Sequence, residues 1–306
     1  MRMMVWSRNN VPDQSGRIAL VTGANSGLGF ETSRALLAQG ATVILGCRSS
    51  EKAMAAKKNL LMEVTSGLVQ ILDLDLSDLR QVKRAVGEVN SKYKRLDLLV
   101  NNAGLMAPPH TLTKQGFEIQ FAVNHLAHMM LTLMLLPLLS QRAGSRVVTV
   151  TSGAQYMGKI NWDDLHGKKK YDRWAAYSQS KLANVMFALE LDNRLRNTGS
   201  KLSSLVAHPG LARTNLQSTS LVSSNSWQES VLYKLMAPLF QSASMGALPQ
   251  LLAATSPEAQ SGEQYGPRFN LRGYPQLCRT APLALNIRFR QRLWNISEGL
   301  IEGFRN

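Results

Sequence analysis

The sequence predicts an α/β fold: a doubly wound parallel sheet of about seven strands, with helices on both faces, in a single domain. Two observations carry this. Short apolar runs of strand length alternate with longer helical stretches, the pattern of a parallel sheet covered on both sides. A glycine-rich turn joins the first apolar run to the first helical stretch. No internal repeat or linker divides residues 1–306. The chain therefore reads as a core over 17–210, an insertion over 211–250 and a C-terminal completion over 251–306.

Residues 1–16 read as a frayed lead-in. Arg17 to Val21 is a short apolar strand. It runs into Thr22-Gly23-Ala24-Asn25-Ser26-Gly27-Leu28-Gly29. Phe30 to Gln39 follows as a helix with Gly40 as its stop signal. Ala41 to Leu45 is the second strand. This is the Rossmann-like βαβ unit that binds a dinucleotide. Gly23 permits the tight turn, Gly27 leaves room for a pyrophosphate, and Gly29 lets helix and strand pack closely. Asn25, Ser26 and Leu28 complete the turn, where free N–H groups of the helix terminus favour anions.

The second strand ends Gly46-Cys47-Arg48-Ser49, with no acid before Glu51. An NAD site usually has an acid here for the ribose 2′-hydroxyl. Cys47 stands in its place, and the guanidinium of Arg48 suits a 2′-phosphate. The pattern favours NADP(H) over NAD. A helix over Glu51 to Val64 and a strand over Gly67 to Leu74 follow. Asp75, as acceptor for an adenine amine, and its neighbour Leu76 are candidates at the adenine end. Ser77 or Asp78 caps a helix over Leu79 to Tyr93. Strand Leu96 to Val100 runs into Asn101-Asn102-Ala103-Gly104, small residues suited to a backbone passing close to a cofactor.

The helical region Gly116 to Leu139 holds Asn124 among Phe121, Val123 and Leu126. A buried Asn needs partners; this one either satisfies backbone groups or holds a water in a proton relay. The apolar run Leu126 to Leu139 is shorter than a bilayer span requires and reads as a buried helix. Strand Arg146 to Val150 leads to Ser152, at the end of the strand where open α/β sheets place ligands. A polar loop with Lys168-Lys169-Lys170 precedes Tyr177-Ser178-Gln179-Ser180-Lys181, at the head of a helix reaching about Asn197. Four residues apart, Tyr177 and Lys181 share one helix face. An ammonium beside the phenol favours the phenolate, bringing its ordinary pKa of ~10 toward the working range.

Strand Leu202 to Ala207 ends His208-Pro209-Gly210, with Thr214 soon after. In residues 211–250 a Ser-, Thr- and Asn-rich stretch gives way to an apolar one, which suits a lid over an apolar substrate. Helix Gly246 to Thr255, strand Tyr265 to Phe269 and an amphipathic helix Arg290 to Phe304 complete the chain.

Composition limits the function classes. Hydrophobic residues are 44% and charged ones 18%, which excludes a disordered chain. Two cysteines, Cys47 and Cys278, exclude a disulfide scaffold and a four-Cys metal site, so no metal is expected. A reducing, cytoplasmic location fits, and Met1 to Pro12 has no signal-peptide core. The net charge is +15, but the basic residues are dispersed. No nucleic-acid partner is expected; the charge suits a solvated basic surface, weak peripheral contact with an anionic membrane or an acidic substrate.

The motifs in order, Thr22-Gly23-(x)3-Gly27-x-Gly29, Asn101-Asn102-Ala103-Gly104, Asn124, Ser152, Tyr177-(x)3-Lys181 and Pro209-Gly210, resemble the short-chain dehydrogenase/reductase superfamily over residues 17–270. The turn continued through Phe30-Glu31-Thr32, Gly46-Cys47-Arg48 and His208-Pro209-Gly210-(x)3-Thr214 look most like retinol dehydrogenase-type members. The resemblance implies an NADP(H)-dependent oxidoreductase acting on a carbonyl or alcohol of an apolar small molecule, such as a retinal-like aldehyde or ketone. It implies that Tyr177 is the general acid or base, and that Lys181 lowers its pKa and binds the nicotinamide ribose. Ser152 would hold the substrate oxygen, and Asn124 a water linking Lys181 to solvent. Asn102, Ala103 and Gly104 would line the adenosine side; Pro209, Gly210 and Thr214 the carboxamide end. A homo-oligomer is a further expectation of the resemblance. Two alternatives stand beside it. One is C=C reduction of the protochlorophyllide reductase kind, whose enzymes typically carry a cysteine in the segment matching 101–104. The other is a non-catalytic NADP-binding regulatory protein, against which the intact Asn124, Ser152, Tyr177 and Lys181 set stands.

Overall fold

The computed structural model describes residues 5–213 and 240–305. Its sheet is built from β1 (Ile18–Thr22), β2 (Thr42–Cys47), β3 (Leu68–Asp73), β4 (Leu98–Asn101), β5 (Arg146–Val150), β6 (Ser203–Ala207), β7 (Gln264–Pro267) and β8 (Pro275–Leu277). The spatial order is β3-β2-β1-β4-β5-β6-β7-β8. Strand order reverses between β1 and β4, where Val21 pairs with both Leu45 and Val100. Open α/β sheets bind ligands at such a switch point, beyond the carboxyl ends of the strands.

The strands are continuous apolar runs because both faces are covered. Side chains alternate sides, so Leu20 and Leu99 join one core layer while Val21 and Val100 join the other. On one face lie α1 (Gly27–Ala38), α2 (Ser50–Glu63) and α6 (Ala243–Thr255). On the other lie α3 (Leu79–Lys92), α4 (Ile119–Leu139), α5 (Arg173–Asn197), α7 (Pro282–Leu285) and α8 (Ile287–Arg305). Side-chain caps fix five of these starts, Glu118 at α4 and Ser242 at α6 among them. Ser49 accepts from Lys52 N, Asp78 from Arg80 N and Asp172 from Ala175 N. Of the two residues offered for α3, Asp78 is the cap.

The structure departs from three expectations. The sheet has eight strands, not about seven: β8 is antiparallel to β7, with Tyr265 opposite Leu277. The lead-in is ordered from residue 5. Arg8–Asn10 forms a 3₁₀ turn, Val11 and Gln14 are buried, and Gln14 N donates to Gln39 O at 2.7 Å. Helix α4 is 21 residues, long and apolar enough to cross a membrane by length and composition, yet 78% of its apolar window is buried in the protein. It is a core helix. It is also not regular, because Ala122–Leu126 is a π segment in which Ala127 N reaches Ala122 O. Tyr177 lies in the second turn of α5, where the buried run of that helix begins. Thr214 and most of the 211–250 insertion lie outside the described residues.

Helix α8 buries Leu293, Trp294, Ser297 and Ile301, an amphipathic spacing. Trp294 stacks on Phe187 of α5 at 5.8 Å, and the Arg194 guanidinium covers the same indole at 4.2 Å. Ser297 meets His125 of the π segment, Oγ to Nε2, at 2.8 Å.

Candidate active site

The turn after β1 is shaped by missing side chains. Gly23 takes a φ of +65°, which favours glycine. A Cβ on Gly29 would stand 2.5 Å from Gly23 O and 2.6 Å from Asn102 Nδ2. Helix α1 thus begins directly against both turns. Asn102 is fixed there by its own amide, which donates to Thr22 O at 2.8 Å. The Thr22 hydroxyl accepts from Asn102 N and Ala103 N, both at 2.9 Å. Ser26, preceding α1, makes no side-chain cap bond, leaving the first N–H groups of α1 without one from their own N-cap. Leu28 is buried. Substituting Gly29 by valine is expected to cost about 1–3 kcal/mol of overpacking and to weaken NADPH binding at least about tenfold. Fluorescence titration and a thermal melt check it.

At the end of β2 the Cys47 thiol is buried, and burial pushes its pKa up to about 11 against the opposing Ala24 and Asn25 amides. It is a packing residue, not a nucleophile. Arg48 follows and is exposed. Asp75 Oδ1 accepts from Ser77 N at 2.9 Å and Ser77 Oγ at 2.7 Å, so one of its oxygens is committed locally; Leu76 is buried. Pro209 and Gly210 follow β6. The amide of Gln241 donates to Pro209 O at 2.7 Å, and Gly210, at φ +64°, could bear no side chain without meeting Leu271 O.

The catalytic candidates converge from three elements. Ser152 follows β5 and caps a 3₁₀ turn, Gly153–Met157, accepting from Ala154 N. Tyr177 and Lys181 come from α5, 6% and 4% exposed. The Ser152 hydroxyl stands close enough to the Tyr177 phenol to favour its ionised form. Lys181 Nζ lies 5.8 Å from the Tyr177 ring centroid and 3.4 Å from Val150 O, while Thr151 Oγ1 donates to Lys181 O at 2.7 Å. Burial draws the Lys181 amine down to about 8. Burial also raises the Tyr177 phenol, opposed by the Ser152 hydroxyl. This reverses the expected direction for the phenol: desolvation outweighs the attraction of an amine that is itself pushed toward neutrality.

Asn124 sits in the π segment, fully buried. Its Oδ1 accepts from Leu105 N at 2.7 Å; its Nδ2 donates to Leu105 O at 3.0 Å and Ser180 Oγ at 2.9 Å. Both polar atoms of the amide thus bond the backbone of Leu105. Gly104 brings these groups together: a Cβ there would be 3.0 Å from Asn124 Oδ1 and 3.4 Å from Lys181 Nζ. Sequence reasoning missed Gln250. This buried residue of α6 donates to Thr32 Oγ1 at 2.5 Å and approaches Asn102 Oδ1 at 3.3 Å, locking the cradle from above. Only a buried amide in an apolar helix signalled it. Among the described residues no group of three or more His, Cys, Asp or Glu could hold a metal.

The profile of the short chain dehydrogenase family matches residues 17–224. The chain belongs to this family. It is 36% identical to mouse retinol dehydrogenase 12 over 92% of this chain and 85% of that protein. To human retinol dehydrogenase 14 it is 37% identical, over 94% and 86%. A crystal structure of an uncharacterised protein from Mycobacterium paratuberculosis superposes with a TM-score of 0.81, at 38% identity and 98% of both chains. This short-chain dehydrogenase is thus an oxidoreductase acting on CH–OH or C=O groups, with a nicotinamide cofactor. The glycine-lined cradle of Gly23, Gly29 and Gly104, each too close to a neighbour for a side chain, fits a dinucleotide.

Proposed function

We propose that this short-chain dehydrogenase moves a hydride between NADP(H) and the carbonyl or alcohol carbon of an apolar small molecule, with a retinal-like aldehyde or ketone as the substrate class. The observation that carries it is the buried Tyr177 phenol, with the Ser152 hydroxyl beside it and Lys181 behind its ring. The names of the relatives support the substrate class. So does Trp174, whose ring meets the Tyr177 ring edge-on at 6.3 Å.

The bound cofactor supplies or takes the hydride; the chain handles the proton. Ser152 holds the substrate oxygen. Tyr177, kept neutral by burial, donates its proton to that oxygen during reduction and accepts it in the reverse direction. Lys181 holds the ribose and, with Asn124, returns a proton to the phenol. Asn25, Ser26 and Leu28 with the turn glycines, and Asn102 to Gly104, hold the dinucleotide. Asp75 and Leu76 lie at its adenine end, Pro209 and Gly210 at its carboxamide.

Arg48 selects the 2′-phosphate in this reading. Arg48→Ala is expected to weaken NADPH by about ten- to a hundredfold, the worth of a charge-assisted contact of about 1.5–3 kcal/mol, and to leave NADH nearly unchanged. Equal losses would remove Arg48 from cofactor choice. The reaction itself is tested by NADPH consumption across aldehydes and ketones, retinal included. Tight NADPH binding with no turnover of any carbonyl would favour the regulatory alternative.

A further inference from the structure

His128 belongs to none of the motifs above, yet it is buried between two of them. Its Nε2 lies 2.9 Å from Thr22 Oγ1 and its Nδ1 3.1 Å from Asn124 O. A threonine hydroxyl has one proton and two lone pairs. Both lone pairs of Thr22 are taken by Asn102 N and Ala103 N. A protonated Nε2 would find no lone pair to receive it. The Thr22 proton must bridge the short distance to Nε2; the only other acceptor offered is Val100 O, at 3.4 Å. The ring is then neutral, and its proton sits on Nδ1, aimed at Asn124 O.

The geometry of the 102–105 turn gives this bond a purpose. One end of the turn hangs on Thr22. The other hangs on Asn124, which holds both backbone groups of Leu105. We propose that His128 is a positioning residue: as an Nδ1–H imidazole it joins these two anchors, so that the dinucleotide cradle and the Asn124–Gly104–Lys181 corner form one rigid frame. Asn124 lies in the π segment, where Ala127 N reaches back to Ala122 O. Burial and the Lys181 charge keep the ring neutral, with a pKa of about 4.

The activity and NADPH arms of the test rest on the proposed function; the tautomer arm does not. In protein carrying ¹⁵N-histidine, His128 is expected to show a bound proton on Nδ1 and none on Nε2 at neutral pH. An Nε2–H tautomer would overturn the proposal. His128→Leu and Thr22→Val are each expected to weaken NADPH about tenfold and lower kcat by about ten- to a hundredfold, with KM for the carbonyl little changed. Combined, they should do no more than the worse single change, because each breaks the same bridge. Thr22→Ser, which keeps the hydroxyl, should restore wild-type values. Additive losses, or a folded His128→Leu with wild-type NADPH affinity and kcat, would sink the idea. If His128→Leu does not fold, His128→Gln is read in its place, and the tautomer is read in the wild-type protein regardless. If no carbonyl is turned over at all, the proposed function fails while the tautomer still decides the role of His128.

Discussion

Replacing Tyr177 by phenylalanine is expected to lower kcat/KM for a responsive aldehyde by about 10²–10⁴, the usual worth of a positioned general acid. NADPH affinity and the melting temperature should barely move. Only a hydroxyl is removed. The ring keeps its edge against Trp174 and stays in a site where it is 6% exposed. The Ser152 hydroxyl loses a polar neighbour but keeps Ala154 N. Steady-state kinetics beside an NADPH titration separates the outcomes. Wild-type turnover in the folded variant would take the proton from Tyr177 and give it to another group.

Lys181→Met is expected to act on more than one quantity. Turnover should fall by about a hundredfold or more, and NADPH should bind more weakly, since the amine serves both phenol and ribose. Stability should change in the opposite sense. The folded chain holds this amine at about 8, below its ordinary 10.5, because burial penalises the charge. Between those values the unfolded chain binds the extra proton, so stability rises with pH across that window. The folded protein without cofactor therefore carries a penalty below pH 8 of about 3 kcal/mol, which fades as pH climbs toward about 10.5. The methionine variant lacks this slope. Denaturant melts of both proteins from pH 7 to 10.5 measure it; parallel curves would show that the amine is not desolvated.

Much of the site was legible because its chemistry is written in residue types. Buried parallel strands are unbroken apolar runs, so β1, the glycine turn and β2 stand out, and Ser152 follows from the end of β5. What escaped notice has physical causes. β8 is an edge strand with two of its three residues exposed, so it has no apolar run. The π segment is a shift of hydrogen bonds and leaves no trace in composition. Gln250 lies 148 residues from Asn102, and no local pattern links them. The pKa direction of Tyr177 depends on how deeply α5 is buried, and a motif spacing does not carry that.

Helix α8, which covers the π segment and α5, also sets a clock. Ser297 follows its partner His125 by 172 residues. At ribosomal rates of about 5–20 residues per second, the π segment waits roughly 10–30 s for the helix that covers it. From the time it is made until Trp294 follows, the aromatic face of α5 around Phe187 also has no native lid. The window most open to misassembly therefore falls during synthesis, and it shuts only when α8 emerges.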